Sequence, residues 1–302
     1  MYDLHRLRLL RELKLRGTLA AVAQALSYSP SSVSQQLSQL ETEVGTPLLE
    51  PAGRRVRLTA QAHILVRHTD AVLRQLELAE SDIAASLAQL TGELGIATFQ
   101  TAALALVPAA LDTMHAAHPQ LRVRVRHREP QLALPALAAR DVDLVLAEEY
   151  PPNPLPRSSG VELAPLCTDT LRLAADGATS LAALATRPWI MEPPGTPARQ
   201  WAVAMCRDAG FEPDVRFESA DLLLHARMAE HHHAVAFLPD MVWAGAAPTL
   251  TLTSLPAHHS TRRILTACRT GASQHPAIKA FRAALSDAAR SAGATPDQET
   301  TP

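Results

Sequence analysis

Leucines recur every three residues from Leu4 to Leu13 at the N-terminal end of the chain. Apolar residues at this spacing line one face of an α-helix, so we predict a helix over about residues 3–15. Gly17 suits the end of that helix, and Thr18 suits the start of a second helix over about 19–25. A third helix follows after a short turn.

The third helix, over about residues 30–43, has an apolar stripe on one side and short polar side chains elsewhere. Ser29 is a good N-cap, and Pro30 suits the first helical position because its missing N–H would have no partner there. Serine and glutamine both donate and accept hydrogen bonds, so they can contact base edges and phosphates in a DNA major groove. A solvated face of any small helical bundle would show a similar pattern. The residues of this helix that we predict to contact DNA are Ser29, Pro30, Ser31, Ser32, Ser34, Gln35, Gln36 and Ser38.

Two short segments flank Pro51-Ala52-Gly53-Arg54 and predict a small hairpin with a glycine at its turn. We expect its arginines, Arg54, Arg55 and Arg57, to meet the phosphate backbone beside the groove. Because exposed arginines are often only solvated, each of these arginines by itself indicates DNA binding less strongly than the neighbouring helix does. Helices and hairpin together predict a winged helix-turn-helix over residues 1–58.

One long helix is predicted over about residues 60–90, within a linker segment 59–90, with Thr59 as its N-cap. Its apolar residues repeat every seven positions, and the strongest members of the repeat are Leu76, Ile83 and Leu90. The helix has a narrow apolar seam and no partner nearby in sequence, so we expect it to pack against a copy of itself. The alternative is a core helix of one globular domain.

Strands and helices alternate from residue 91 to residue 290. This order predicts mostly parallel sheets covered by helices, arranged as two α/β lobes. We place the first lobe at about 91–160 and 266–290 and the second at about 161–265. A ligand cleft is expected where the carboxyl ends of the strands meet the amino ends of the helices. Residues 291–302 are polar and contain proline, so we expect a disordered tail.

The overall net charge of −2 hides a difference between the two ends of the chain. Residues 1–60 carry eight Lys or Arg and five Asp or Glu, which gives +3, and the remaining residues carry −5. A basic N-terminal unit on an acidic body is typical of a DNA-binding protein with a separate second domain. The chain has no long uncharged apolar run and begins with a charged segment, so we expect a cytoplasmic protein without membrane contact.

A set of short motifs runs through the chain: Ala21–Leu26, Val33-Ser34-Gln35-Gln36-Leu37, Leu40-Glu41, Gly45, Leu48, Val56-Arg57-Leu58-Thr59, Gly92-Glu93-Leu94-Gly95-Ile96, Leu106-Val107-Pro108, His118-Pro119 and Val142-Asp143-Leu144. With these motifs the chain resembles the LysR-type transcriptional regulators. The resemblance implies an α/β protein with an N-terminal all-α winged helix-turn-helix, a long dimerising linker helix and a two-lobed, periplasmic-binding-protein-like effector domain. It also implies double-stranded DNA with an inverted-repeat operator, a small-molecule effector, a homodimer or homotetramer, and RNA polymerase as a further partner.

Several positions depart from the residues that the family usually has, including Gln61-Ala62 in place of the usual Ala-Gly after the wing. The family usually has glutamine where this chain has Pro30 and often arginine where it has Gln35, and both positions commonly touch DNA. At the wing, the usual phenylalanine and arginine are Leu49 and Pro51 in this chain. Loss of that arginine removes one phosphate contact, which the other wing arginines would have to supply.

Loops that end strands or open helices supply the candidate effector-binding residues. Hydroxyl and amide groups there would hold an anion together with helix N–H groups, whereas Glu148 and Glu192 would favour a cationic or amine ligand. The sequence does not decide between the two ligand classes, and ordinary helix caps would show the same pattern. The candidates are Thr98, Phe99, Gln100, Thr101, Glu148, Thr196, Arg199, Ser219 and Phe237.

Features that point to other chemistry are few. The consecutive histidines 231–233 cannot all face one ion, and Cys167 and Cys206 lie far apart in sequence, so we predict neither a metal site nor a redox switch. The common serine-hydrolase, zinc-protease and phosphate-loop motifs are absent, and we expect no enzyme activity and no cofactor. The alternatives are a two-lobed solute-binding protein or enzyme, and an architectural DNA-binding protein of low specificity.

Overall fold

The computed structural model describes residues 2–53, 55–151, 154–158, 160–175, 180–255 and 260–296. The chain forms an N-terminal helical unit with a hairpin, one long helix and a C-terminal α/β part. This order confirms the fold class that the sequence predicts.

The N-terminal unit consists of α1 (Leu4–Arg16), α2 (Leu19–Leu26), α3 (Pro30–Val44), β1 (Leu49–Ala52) and β2 (Arg55–Leu58). Two predicted caps are present, because the Thr18 hydroxyl accepts from the Ala21 N–H and the Ser29 hydroxyl accepts from the Ser32 N–H. Gly45 ends α3 with a φ of +75°, a left-handed conformation that glycine adopts at little cost. The helices share one core, whose buried residues include Leu9, Leu10, Leu13, Val22, Val33, Leu37 and Leu40.

The long helix α4 (Ala60–Ser86) begins after Thr59 as predicted but ends four residues before the predicted Leu90. The backbone at Leu87 is extended. The Ser86 hydroxyl donates to the Ile83 carbonyl (2.7 Å), so this carbonyl of the last turn has a hydrogen-bond partner although the helix does not continue. One side of α4 is buried against the rest of the chain, at Ala62, Val66, Thr69, Leu73, Glu77 and Ser81. The opposite side of the helix stays exposed.

The C-terminal part contains strands and helices in alternation, close to the positions that the sequence predicts. Its elements are β3 (Gly92–Thr98), α5 (Gln100–Ala105), α6 (Val107–Ala117), β4 (Leu121–His127), α7 (Pro130–Ala138), β5 (Leu144–Glu149), β6 (Val161–Ala174), β7 (Pro188–Met191), α8 (Pro197–Asp208), β8 (Asp214–Glu218), α9 (Leu222–Glu230), β9 (Ala236–Pro239), β10 (Leu252–Ser254), β11 (Thr261–Arg269), α10 (Pro276–Ser291) and β12 (Thr295–Pro296).

The larger sheet has the strand order β10-β6-β11-β5-β3-β4, and β9 and β12 also pair with β6. β3 is parallel to β4 and β5, whereas β11 is antiparallel to both β5 and β6. The prediction of mostly parallel sheets is therefore wrong for this part of the sheet. β6 pairs with β11 along its first part and with β9 and β10 along its last four residues, so it passes from one lobe into the other. The predicted lobe boundary at residue 160 falls just before this shared strand, and the bounds of the lobes stay a prediction.

The end of the chain is ordered further than the sequence predicts. Ser291 still belongs to α10, and Thr295 and Pro296 pair with Thr168 and Cys167 of β6. The predicted disordered tail is therefore wrong for residues 291–296, because helix and sheet supply partners for their backbone. Residues 297–302 lie outside the described residues.

Helix α4 is fixed to the first lobe by a charge network around the buried Glu77. Its carboxylate contacts the guanidinium of Arg140 (3.0 Å) and also that of Arg269. Beside this network, a side chain at Gly271 would come within 2.7 Å of the Arg74 carbonyl oxygen. α4 and the first lobe lie in direct contact here, and only glycine leaves room for the helix backbone at this distance.

Candidate nucleic-acid interface and effector cleft

Helix α3 presents an exposed polar face opposite its buried stripe. Ser34, Gln35 and Ser38 are exposed, while Val33 and Leu37 on the other side are buried. The side chains of Ser34 and Gln35 make no hydrogen bond or ion pair with the described residues. Their donors and acceptors are therefore available to an outside partner.

Other predicted DNA contacts on α3 already bind groups of the protein itself. The Ser29 hydroxyl lies 2.9 Å from that of Ser31, in addition to capping the helix. Gln36 is half-buried, and its side-chain oxygen accepts a hydrogen bond from Arg6 Nε (3.0 Å) on α1. Gln36 thus helps to position α3 against α1, and its contact with DNA stays a prediction.

The hairpin holds Arg57 in an ion pair. Strand register places Glu50 opposite Arg57, and their side-chain nitrogen and oxygen atoms lie 2.7 Å apart. The Arg57 side chain is 74% exposed, so solvent weakens this pair and a phosphate can take the place of Glu50. Arg54 and the side chain of Arg55 lie outside the described residues.

Glu41 on α3 fixes the hairpin relative to the helix. Its Oε1 atom accepts hydrogen bonds from the backbone N–H groups of Leu48 (2.8 Å) and Leu49 (3.0 Å). At the other end of the hairpin, the Thr59 hydroxyl donates to the Pro47 carbonyl (3.0 Å). The family motif is the only sequence signal for Glu41, because a carboxylate late in a helix does not by itself indicate which backbone it binds.

The exposed side of α4 carries an apolar strip, here called the linker seam, made of Ile64, Val72, Leu76 and Ile83. Ile83 is 64% exposed, the highest value among these side chains. At the N-terminal end of α4 the seam borders an apolar groove of about 420 Å³ that Tyr2, Leu7 and Val44 also line. Exposed apolar side chains along one helix are typical of a site of protein association.

The cleft between the lobes is built around the guanidinium of Arg262, which is 1% exposed. It lies 2.7 Å from the Asp169 carboxylate, contacts the Glu148 carboxylate, and donates to the hydroxyls of Thr101 and Tyr150. Burial raises the pKa of both carboxyl groups, and the charge of Arg262 offsets part of that rise. Thr101 and Glu148 were predicted as site residues, and the structure brings them together around this arginine.

Gln100 bridges the two lobes. Its amide nitrogen donates to the Asp221 carboxylate (2.6 Å), and its oxygen accepts from the Leu222 N–H (2.8 Å) at the start of α9. Next to it, the Thr98 hydroxyl donates to the Phe99 carbonyl (3.2 Å), and the Phe99 ring lies 5.3 Å from the guanidinium carbon of the cleft arginine.

On the second lobe, Thr196 and Ser219 act at helix starts. The Thr196 hydroxyl accepts from the Arg199 N–H (3.2 Å), and the Arg199 side chain donates to the Glu192 carbonyl (2.9 Å). The Ser219 hydroxyl accepts from the Asp221 N–H (3.0 Å). These are the contacts of ordinary helix caps and turns, so they give no support to an anion site.

Phe237 belongs to an aromatic wall on the second lobe. The Trp201 ring lies 5.0 Å from Phe237, edge to face, and 5.8 Å from Tyr150. A small cavity of about 30 Å³, here called the cleft pocket, lies against this wall, and Glu192 and His225 also line it.

Arg262, Asp169 and Tyr150 were not recognised as site residues from the sequence. Arg262 on β11 lies directly opposite Asp169 on β6, although 93 residues separate them. Their contact depends on strand register, which no local pattern reveals. The one available signal was an arginine at the start of an otherwise apolar strand, TRRILTAC.

The described part of the chain contains no candidate metal site, membrane-spanning helix or reactive thiol. No group of three His, Cys, Asp or Glu side chains there could hold a metal ion, and no helix there is long and apolar enough to cross a membrane. Cys167, Cys206 and Cys268 are buried. Burial raises the pKa of Cys206 to about 12 and that of Cys268 to about 11, so both thiols stay protonated at neutral pH.

The sequence matches two family descriptions and several curated relatives. "Bacterial regulatory helix-turn-helix protein, lysR family" matches residues 4–63, and "LysR substrate binding domain" matches residues 87–290. The transcriptional dual regulator GltC of Bacillus subtilis is 24% identical over 258 residues, which cover 83% of this chain and 85% of GltC. The regulator GbpR of Azospirillum brasilense is 26% identical over 264 residues, which cover 84% and 77%.

Solved structures share the fold over the whole length. A full-length OxyR variant from Pseudomonas aeruginosa superposes with a TM-score of 0.69 at 19% identity, covering 100% of this chain and 99% of OxyR. Full-length CbnR complexed with its target DNA gives a TM-score of 0.52 at 21% identity, covering 95% and 99%. Since the family descriptions match well over half of the sequence, this chain belongs to the LysR family of bacterial transcriptional regulators, with a helix-turn-helix DNA-binding domain and an effector-binding domain.

Proposed function

We propose that α3 of this regulator enters the major groove of its operator while the hairpin contacts the adjacent phosphates. The observation that carries this proposal is the exposed face of α3, where Ser34 and Gln35 have no partner among the described residues. Serine and glutamine side chains distinguish base edges by hydrogen bonds. CbnR, which has the same fold, was solved with its target DNA. The further proposed contacts are Ser29, Pro30, Ser31, Ser32, Gln36, Ser38, Arg54, Arg55 and Arg57.

Two copies of the chain associate through the linker seam in this proposal. The seam exposes apolar side chains along α4, and a second α4 would cover them. A two-fold pair presents two α3 helices about 34 Å apart, or a multiple of that distance, so its operator is an inverted repeat. The pair acts in the cytoplasm, where bacterial DNA lies, and we assign no enzyme activity to it because its relatives are named as regulators.

The effector binds between the lobes, around the residues that Gln100 and Arg262 hold together. A ligand that prefers one arrangement of the lobes shifts the population toward it. Because Arg140 and Arg269 of the first lobe hold Glu77 on α4, a movement of that lobe also moves the linker helix. Effector binding thereby changes the relative placement of the two DNA-binding units.

Gel retardation with operator duplexes, selected in vitro from a random pool by the full-length protein, tests the role of α3. Gln35→Glu places a negative charge against the phosphates and removes a base contact, so we expect about a tenfold to hundredfold loss of affinity. Gln131→Glu makes the same change at an exposed position of α7 and serves as the control. Normal retardation by Gln35→Glu would refute the assignment. Equal affinity for selected and random duplexes would indicate an architectural protein instead.

The same assay, combined with light scattering, tests the linker seam. Ile83→Asp places a charge in the proposed interface, so we expect a smaller assembly and weaker operator binding. Leu132→Asp removes another exposed leucine, on α7 and 67% exposed, and serves as the matched control. An unchanged molar mass for Ile83→Asp would show that the seam is not the interface.

A further inference from the structure

The cleft pocket is small and has a mixed lining. Its volume of about 30 Å³ exceeds the roughly 10–15 Å³ that a cavity needs to hold one water molecule. Its aromatic lining residues are Tyr150, Trp201 and Phe237, and the other lining residues with polar side chains are Glu192 and His225. A compact polar head group fits this space, whereas the body of a ligand has to extend into the cleft between the lobes.

Glu192 is a largely buried carboxyl group of the cleft that forms no ion pair with the described residues. Glu148 and Asp169 both contact Arg262, whereas the Glu192 carboxyl group has no ion pair with any described residue and hydrogen-bonds to the Thr196 side chain. The Arg199 side chain binds the backbone carbonyl of Glu192 and not its carboxyl group. Burial, together with the negative charges of Glu148 and Glu129, raises the pKa of Glu192 to about 8. The site thus contains three acidic groups around Arg262, and Glu192 is the one that this arginine does not contact.

His225 offers a second acceptor to the pocket. Its Nε2 atom lies 2.8 Å from the Ser219 carbonyl oxygen, which can only accept, so Nε2 carries the proton in that hydrogen bond. Burial lowers the pKa of His225, so the ring is neutral and its Nδ1 atom is an acceptor. Tyr150, by contrast, already donates to Glu148 and accepts from Arg262. The acceptors that this lining can offer to a hydrogen-bond donor are therefore the His225 Nδ1 atom and the Glu192 carboxylate in its ionised form.

We propose that the cleft pocket binds the protonated primary amine of the effector, with Glu192 and His225 as its acceptors. This proposal rests on the proposed function of the cleft as the effector site. An ammonium group is about as large as water, brings three N–H donors, and is attracted by aromatic faces such as that of Trp201. A trimethylammonium group lacks those N–H donors and cannot form hydrogen bonds with either acceptor. The effector is thus a small molecule with a free primary amine, rather than a carboxylate or a quaternary amine.

Proton exchange with the buffer gives this proposal a distinct signature. At pH 7 a carboxyl group with a pKa of about 8 is mostly protonated, and an ammonium group beside it favours the ionised form. Binding of the amine therefore releases a proton from Glu192. Binding of a carboxylate ligand would instead keep the proton on Glu192 or take up another.

The test uses full-length protein and four matched probes: n-butylamine, butan-1-ol, butyrate and butyltrimethylammonium. We expect n-butylamine alone to raise the unfolding temperature, and calorimetry in buffers of different ionisation enthalpy to show proton release at pH 7. Glu192→Gln keeps the shape but removes the charge, so the affinity for n-butylamine falls by at least about tenfold. Glu218→Gln changes an exposed carboxylate of the same lobe and leaves the affinity unchanged.

Three results would overturn the amine assignment: stabilisation by butyrate or butan-1-ol as large as that by the amine, unchanged affinity of Glu192→Gln, or no stabilisation by n-butylamine up to its solubility limit in the assay. Retardation of operator duplexes by the same protein preparations is measured in parallel. If operator binding is normal but n-butylamine does not bind as expected, the ligand class is rejected and the DNA-binding function stands. Loss of operator binding by the unmodified protein rejects the proposed function itself.

Discussion

Ser34 and Gln35 on α3 lie exposed without partners among the described residues, whereas Gln100, Thr101 and Glu148 in the cleft each contact another group of the protein. The two regions thus hold their polar groups in opposite ways. The α3 face needs an outside partner to form hydrogen bonds. The cleft satisfies most of its polar groups internally, so a ligand there has to replace existing contacts or use the few acceptors that remain.

The two regions should therefore respond differently to substitution. On α3, each exposed side chain adds a contact without disturbing the fold, so substitutions there change binding and leave stability nearly intact. In the cleft, the same groups hold the lobes together, so substitutions change both stability and ligand binding. The following predictions test that separation, beginning with the largest effect.

Arg262→Ala should reduce the free energy of unfolding by about 3–5 kcal/mol, because it leaves the buried carboxylates of Glu148 and Asp169 without their cation. Urea unfolding followed by circular dichroism measures the loss. Arg216→Ala breaks an exposed pair with Asp214 and should cost less than about 1 kcal/mol. Equal losses in the two variants would show that the cleft network has no special role in stability.

The pH dependence of stability should differ between wild type and Glu192→Gln. The pKa of Glu192 rises from 4.5 to about 8 on folding, so the folded state holds a proton that the unfolded state releases between these values. Its contribution therefore lowers the stability as pH rises through this window, by up to about 1.4 kcal/mol per pH unit. Glu192→Gln removes this contribution.

Urea titrations at pH 5, 6, 7 and 8 measure that difference. Relative to wild type, Glu192→Gln should become steadily more stable toward pH 8, while Glu218→Gln should follow the wild-type profile. Parallel profiles for wild type and Glu192→Gln would contradict the buried, unpaired state of this carboxyl group.

Arg57→Gln should change stability by less than about 1 kcal/mol, since its pair with Glu50 is exposed. Its effect should appear in DNA binding, where the slope of log affinity against log salt falls by about one if Arg57 contacts a phosphate. Arg207→Gln breaks a comparable exposed pair with Glu212 and provides the control. An unchanged slope would show that Arg57 is solvated and does not contact a phosphate.

The contrast between α3 and the cleft also explains how much the sequence could predict. The cap at Ser29, the buried stripe of α3 and the exposed serines depend on neighbours within one or two helical turns, and all three predictions are confirmed. The partners of Gln100 and Arg262 lie 121 and 93 residues away in sequence. Such contacts depend on strand register and lobe closure, so the sequence indicated the loops of the cleft but not their pairing.

Helix α4 shows the same limit within one element. Its start after Thr59 and its apolar repeat were predicted from local spacing, and Leu76 and Ile83 are exposed as members of the linker seam. The burial of Glu77 on the opposite side was not predicted, because its partners Arg140 and Arg269 come from distant parts of the chain.

The contact between α4 and Gly271 makes the linker helix a lever with its fulcrum near one end. The Ser81 hydroxyl donates to the Gly271 carbonyl (3.4 Å) at that fulcrum. From Ser81 to Thr59 the helix spans about 33 Å, so a tilt of about 6° at the fulcrum moves the DNA-binding end by about 3.5 Å. That displacement is about the rise of one base pair. Such a rotation changes the contacts that Arg11 and Arg16 of α1 make with the Ala138 carbonyl (2.7 Å) and the Asp141 carboxylate (2.9 Å) of the first lobe. In the proposed pair it is enough to change which base pairs the two copies can span.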